Sequence, residues 1–133
     1  MKKILAVLSV LLVVMSLTAC APKKETYELA MITDKGDIDD KSFNQGAWEG
    51  VKAYAEDNNK TYKYYKPTEV STDAYVAAID LAVEGGAKVV VTPGFLFEPA
   101  VLVAQDKYPD VKFVLLDGIP NNQVYDATYT EKV

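Results

Sequence analysis

Short apolar runs alternate along this chain with stretches in which apolar residues recur every three or four positions. Tyr27 to Thr33 is the first run, and Asp34 to Lys41 is too acidic and too glycine-interrupted to continue it, which predicts a strand that stops there. From Ser42, the residues Phe43, Ala47, Val51 and Tyr54 fall at i, i+4, i+8 and i+11, the stripe of a helix with Asp40 or Ser42 as N-cap and Asn58-Asn59 at its end. By that spacing Phe43 is the helix's first core residue. Tyr62 to Tyr65 reads as a second strand, followed by a turn at Pro67. Ser71 or Thr72 then caps a second helix, which runs to about Glu84 on Val76, Ile79 and Val83 and ends at Gly85-Gly86. Lys88 to Thr92 holds three consecutive valines, the pattern of a parallel strand buried on both faces, and it stops at Pro93-Gly94. A helix over Glu98 to Lys107, a turn at Pro109, a strand over Lys112 to Leu116 ending at Asp117-Gly118, and a weaker strand over Tyr125 to Thr130 complete the pattern.

The order β-α-β-α-β-α-β-β with short connections predicts an α/β fold, a doubly wound parallel sheet ordered 2-1-3-4-5 with right-handed crossovers. In that order the chain switches direction between strands one and three. The loops after those strands, Asp34 to Phe43 and Pro93 to Phe97, open on one crevice, and Asp117 after strand four reaches the same edge. Strand-end loops at a switch point are where open α/β sheets hold small ligands.

The first nineteen residues stand apart. Lys2 and Lys3 precede a nearly unbroken apolar stretch from Ile4 to Val14, and Leu17-Thr18-Ala19-Cys20 follows, the pattern of a lipoprotein signal peptide cleaved before a lipid-modified Cys20. Residues 1–19 are therefore read as signal, 20–26 as a lipidated tether and 27–133 as one ligand-binding lobe on the extracytoplasmic face of the cell membrane. Cys20 is the single cysteine, so no intrachain disulfide forms. Without residues 1–19 the chain carries 12 lysines against 19 acidic residues, a formal charge of −7, which argues against nucleic acid as a partner. The remaining 114 residues suffice for one domain but not for two full α/β lobes.

The chain has no histidine and no arginine, which removes His-based general acid-base chemistry, Ser-His-Asp triads and histidine zinc sites. No phosphate-cradling glycine motif follows strand one, and the Asp37-Ile38-Asp39-Asp40 cluster lacks the glycine and distal glutamate of an EF-hand loop. Neither an enzyme nor a cofactor or metal site is expected. Candidate chemistry lies in the strand-end loops instead. Asp34 either accepts hydrogen bonds from a ligand or serves as a turn or capping aspartate. Asp117 either faces the crevice or forms a common Asp-Gly turn. Gly94 lets a ligand approach the backbone, Phe95 and Phe97 serve packing or contact with a second lobe, and Lys35 bonds a ligand or points to solvent. Asp37, Asp39 and Asp40 shape the loop and complement the first helix's dipole, and Trp48 is a packing residue.

The string Gly36-Asp-Ile-Asp-Asp-Lys-Ser-Phe-Asn-Gln-Gly-Ala-Trp-Glu-Gly50 closely resembles the signature of the basic membrane protein family, the purine-nucleoside-binding lipoproteins of bacterial ABC importers. The resemblance extends over Tyr27 to Val133 and implies the amino-terminal lobe of a type I periplasmic-binding-protein-like fold, with ligand enclosed by hinge closure of two lobes. It implies that an aromatic ring at Phe43 stacks on the nucleobase, that Asp117 contacts ligand, and that Asp34, Lys35, Asn44, Gly94 and Phe95 belong to the same site. It also implies a permease and an ATPase as partners. Family members are much longer, so the chain reads as truncated, with the second stacking aromatic and the ribose-binding groups of the other lobe missing. Half a cleft binds weakly, and its open Phe43 and Phe95 predict a dimer through the strand-end surface or cover by a partner lobe. A surface lipoprotein that acts as a ligand sensor or adhesin is the alternative function.

Replacing Cys20 with serine is expected to abolish membrane anchoring. Fractionation of the variant at high salt checks this, and a membrane-bound variant contradicts it.

Overall fold

The computed structural model describes residues 25–121; the signal segment, Cys20, most of the tether and the strand expected over Tyr125 to Thr130 lie outside them. Seven elements and one 3-10 turn follow in the expected order: β1 (Leu29–Ile32), α1 (Phe43–Asp57), β2 (Tyr62–Tyr65), α2 (Thr72–Glu84), β3 (Val89–Pro93), the turn Phe95–Phe97, α3 (Glu98–Lys107) and β4 (Lys112–Leu116). The four strands form one parallel sheet in the order β2-β1-β3-β4, with Leu29 opposite both Tyr62 and Val89, and Val89 opposite Lys112. Right-handed crossovers place α1, which links β1 to β2, on one face, and α2 and α3 on the other.

The face under α2 and α3 is the better filled. Ala30, Ile32, Val90 and Phe113 from the sheet meet Tyr75, Ile79, Phe97, Val101 and the small residues Ala78, Ala82, Ala100 and Ala104. The alanines let the helices sit close to the sheet, and the Tyr75 and Phe97 rings stack at 4.4 Å between α2 and the 3-10 turn. Ser71 caps α2, as its position predicts, by accepting the Ala74 N–H.

Among the described residues the opposite face has α1 alone over it, packed on Leu29 and Met31. Val89 and Val91 are therefore half-buried, while Val90 between them is fully covered. The expectation that this strand is buried on both faces fails because one helix cannot cover four strands. The expected stripe of α1 also needs correction. Its buried residues are Asn44, Val51 and Ala55, with Ala47 and Trp48 half-buried, whereas Phe43 is 46% and Tyr54 59% exposed. The helix is turned so that a polar residue, Asn44, takes an inward place that the hydrophobic pattern gave to its neighbour. Trp48 does pack, edge-on against Tyr62 and Tyr64 at 5.5 and 5.4 Å.

The sheet has two unlike edges. At the amino edge the chain enters through Tyr27, whose N–H donates to the Gly85 carbonyl at 3.0 Å and whose ring lies under the Lys63 ammonium. At the carboxyl edge lie the loops after β1, β3 and β4.

Tyr75 is 1% exposed and its hydroxyl has no hydrogen-bond partner among the described residues. Removing an unpaired buried hydroxyl while keeping the ring relieves a desolvation cost, so Tyr75→Phe is expected to match or exceed the parent in stability. Tyr75→Ala is expected to lose ~3–5 kcal/mol to the cavity it leaves, as read by urea denaturation.

Candidate functional site

Asp34 follows β1 and marks the centre of the carboxyl edge. Its Oδ1 accepts the Gly36 N–H at 2.9 Å and the Asn44 Nδ2 at 2.8 Å, while its own N–H donates to Asn44 Oδ1 at 3.3 Å. Oδ2 takes no partner among the described residues and stands 3.8 Å from the place a Cβ on Gly94 would occupy. A carboxylate oxygen fixed through its twin, open on one side, and facing a residue with no side chain is a ready acceptor for a ligand N–H or O–H. The Tyr75 phenol lies close enough for the Asp34 charge to raise its pKa, although burial contributes more to that rise.

Asn44 is 4% exposed and spends its side chain on two acidic neighbours, donating also to Asp40 Oδ2 at 2.9 Å. It joins the site from beneath, as the brace of Asp34. Asp40 is the second support. Its Oδ1 accepts the N–H groups of Ser42 and Gln45, so Asp40 caps α1 from two residues upstream while Ser42, in the N-cap position, makes no side-chain bond. The Asn44 amide, followed by those backbone donors, holds the Asp40 carboxyl below the usual aspartate range. Asp37 is held low as well, mainly by its ion pair with Lys66 and then by the Ile38 N–H. Of the three aspartates expected to shape the loop and cap α1, Asp40 therefore does the capping and Asp37 ties the loop to Lys66, while Asp39 is exposed.

The remaining candidates ring the same edge. Phe43, the first residue of α1, is half exposed, and Phe95 beyond β3 is 60% exposed. Gly94 is buried with φ +111, a conformation open to glycine, and its N–H donates to the Leu116 carbonyl at 2.8 Å, which ties the β3 loop to the end of β4. Asp117 follows with its side chain exposed, and Lys35 is exposed too. The expected residues thus lie on the loops that follow β1, β3 and β4, with Asn44 bracing Asp34 from the first turn of α1. Phe97, given equal claim to packing or interlobe contact, is fully buried in the core. Sequence reasoning passed over Tyr75, which reads as an ordinary helical aromatic. Its proximity to Asp34 follows from tertiary packing alone.

Two hollows on the described surface lie elsewhere. One, of about 610 Å³, runs along β2 between Trp48, Tyr62 and Tyr64; the other, of about 410 Å³, lies between α1 and the open strands β3 and β4. The carboxyl-edge residues line neither. They are gathered at the loops that follow β1, β3 and β4.

A family model described as ABC transporter substrate-binding protein PnrA-like matches residues 27–132. The ABC transporter nucleoside-binding protein BmpA of Lactococcus lactis is 30% identical over 114 residues, which cover 81% of this chain and 32% of that protein. Basic membrane protein A of Borreliella burgdorferi is 32% identical over 103 residues, 77% of this chain and 29% of that one. Among solved structures, an ABC transporter solute-binding protein from Aeropyrum pernix superposes with a TM-score of 0.61 at 26% identity, over 74% of this chain and 26% of its own. The chain thus spans about a third of the length of the curated relatives it matches.

Asn44→Ala is expected to cost ~1–3 kcal/mol at neutral pH, because it strips a buried donor from two carboxylates. The loss should also change the response to acid. A carboxyl held below its unfolded value of 3.8 stabilises the fold above that pH and ceases to do so as pH falls through its folded value. With the Asn44 amide gone, the Asp40 part of that acid sensitivity shrinks, so the gap between parent and variant should narrow from pH 7 to pH 3 in urea melts.

Proposed function

The chain belongs to the PnrA-like family of ABC transporter substrate-binding proteins, and from that premise we propose that the carboxyl edge of its sheet is one wall of a cleft for purine nucleosides. The observation that carries the reading is the Phe43 ring. An apolar residue in the first turn of an amphipathic helix belongs by pattern to the core, yet this one is half exposed, next in sequence to the Asn44 that braces Asp34. A flat ring at one end of a loop and a fixed acceptor at the other suit a flat heterocycle bearing N–H donors.

On this reading each residue has a role. Phe43 stacks on one face of the base. Asp34 Oδ2 accepts a hydrogen bond from a base or sugar donor, with its position fixed by Asn44. Asp117 offers a second carboxylate from the other side of Gly94, and Gly94 leaves room for the ligand against the backbone. Lys35 supplies a donor at the rim. The exposed Phe95 fits contact with a second lobe that closes over the ligand, as hinge closure in two-lobed binding proteins requires. In the longer proteins of the family such a lobe has sequence to come from, since this chain matches only about a third of their length.

The protein would deliver its ligand to a membrane permease driven by an ATPase, held to the outer face of the membrane by lipid on Cys20. The name of the Lactococcus relative, a nucleoside-binding protein, supports the ligand class. No step of this function calls for covalent chemistry.

Calorimetric or NMR titration of the full chain, purified in mild detergent, against adenosine, guanosine, inosine and ribose tests the reading. Nucleosides are expected to bind more tightly than ribose. Phe43→Ala is expected to weaken nucleoside binding by ~1–3 kcal/mol, the scale of stacking between a base and an aromatic side chain, with little change in melting temperature. Unchanged affinity with a lowered melting temperature would make Phe43 a packing residue and remove the site from this loop.

A further inference from the structure

Asp117 has no hydrogen-bond or ion-pair partner for its carboxylate among the described residues, so where that carboxylate stands depends on the backbone that carries it. That backbone is unusual. Asp117 has φ +56, in the left-handed region that non-glycine residues seldom occupy, aspartate more readily than most, and contacts on both sides of the residue fasten it there. On the strand side the hold is the Leu116 carbonyl, which accepts the Gly94 N–H. On the far side it is Glu98. The Glu98 Oε1 accepts the Ile119 N–H at 3.1 Å, its Oε2 accepts the Asn121 Nδ2 at 2.8 Å, and its backbone carbonyl accepts the Asn121 N–H at 3.3 Å. Between these anchors Gly118 lies so near that a Cβ on it would stand 3.2 Å from Glu98 Cγ and Oε1 and 3.3 Å from Phe95 Cα.

We propose that Glu98 is the positioning residue for Asp117: by gripping Ile119 and Asn121 it holds the loop after β4 in the left-handed turn that aims the Asp117 carboxylate, and it sets that turn against Phe95. The inference rests on the nucleoside-cleft reading for the use made of Asp117, though not for the grip itself. Glu98 suits the task because it opens α3, where a negative side chain is favoured by the helix dipole, so its carboxylate is steadied before it takes up the loop. A glutamate that merely complements a helix start would have no bond across twenty-one residues to Ile119.

Two substitutions separate a positioning role from a structural one. In the full chain, Glu98→Ala is expected to weaken guanosine and inosine binding about tenfold and to expose the Ile119 amide to hydrogen exchange. Glu98→Gln keeps an oxygen for Ile119 and is expected to stay within about threefold of the parent. In an Asp117→Ala background, Glu98→Ala is expected to cost no further affinity while still lowering the melting temperature. Losses that add in the double variant, or a Glu98→Ala that binds as the parent does, overturn the proposal. If the parent binds neither nucleoside, the cleft reading falls and exchange decides on the grip. Ile119 protection lost in the alanine variant and kept in the glutamine variant supports it; equal protection in parent and alanine variant refutes it.

Discussion

The handedness of three crossovers governs this molecule. A parallel strand can be followed by its neighbour only through a connection that crosses the sheet, and that connection is right-handed. Because β1 leads to β2 on one side and the chain then returns past β1 to β3 and β4, one helix falls on one face and two on the other. Because all four strands are parallel, the loops after β1, β3 and β4 emerge together at one edge.

The crossovers fix where the loops emerge but not how they are shaped, and two of the loop regions at the carboxyl edge have their own polar fastening. The first is the triangle of Asn44, Asp34 and Asp40, which joins the β1 loop to the start of α1. The second is the grip of Glu98 on the chain beyond β4, together with the bond from Gly94 to Leu116. Buried or half-buried hydrogen bonds to carboxylates are stronger than neutral ones, and their directionality fixes side-chain angles that apolar packing leaves free. No hydrogen bond between the two fastenings is seen among the described residues.

Much of this was legible in the sequence. The strand order, the Ser71 cap, the end of α1 at Asn58-Asn59 and the convergence of Asp34, Gly94 and Asp117 follow from period, punctuation and topology. The rotation of α1 did not. A hydrophobic stripe assigns inward positions by apolarity, and it gave Phe43 the place that Asn44 holds, because the two acidic residues that draw Asn44 inward meet it only after the loop has folded. Glu98 was hidden for the same reason: its partners arrive from far along the chain. Polar contacts between separate loops leave no periodic trace, and these are the contacts that shape the rim.

The two edges of the sheet do different mechanical work. Tyr27 enters at the amino edge, fastened to Gly85 and lying beneath Lys63, while every residue of the crevice wall stands at the other pole. The point where the described chain enters and the loops after β1, β3 and β4 therefore lie at opposite poles, with strands of only four or five residues between them.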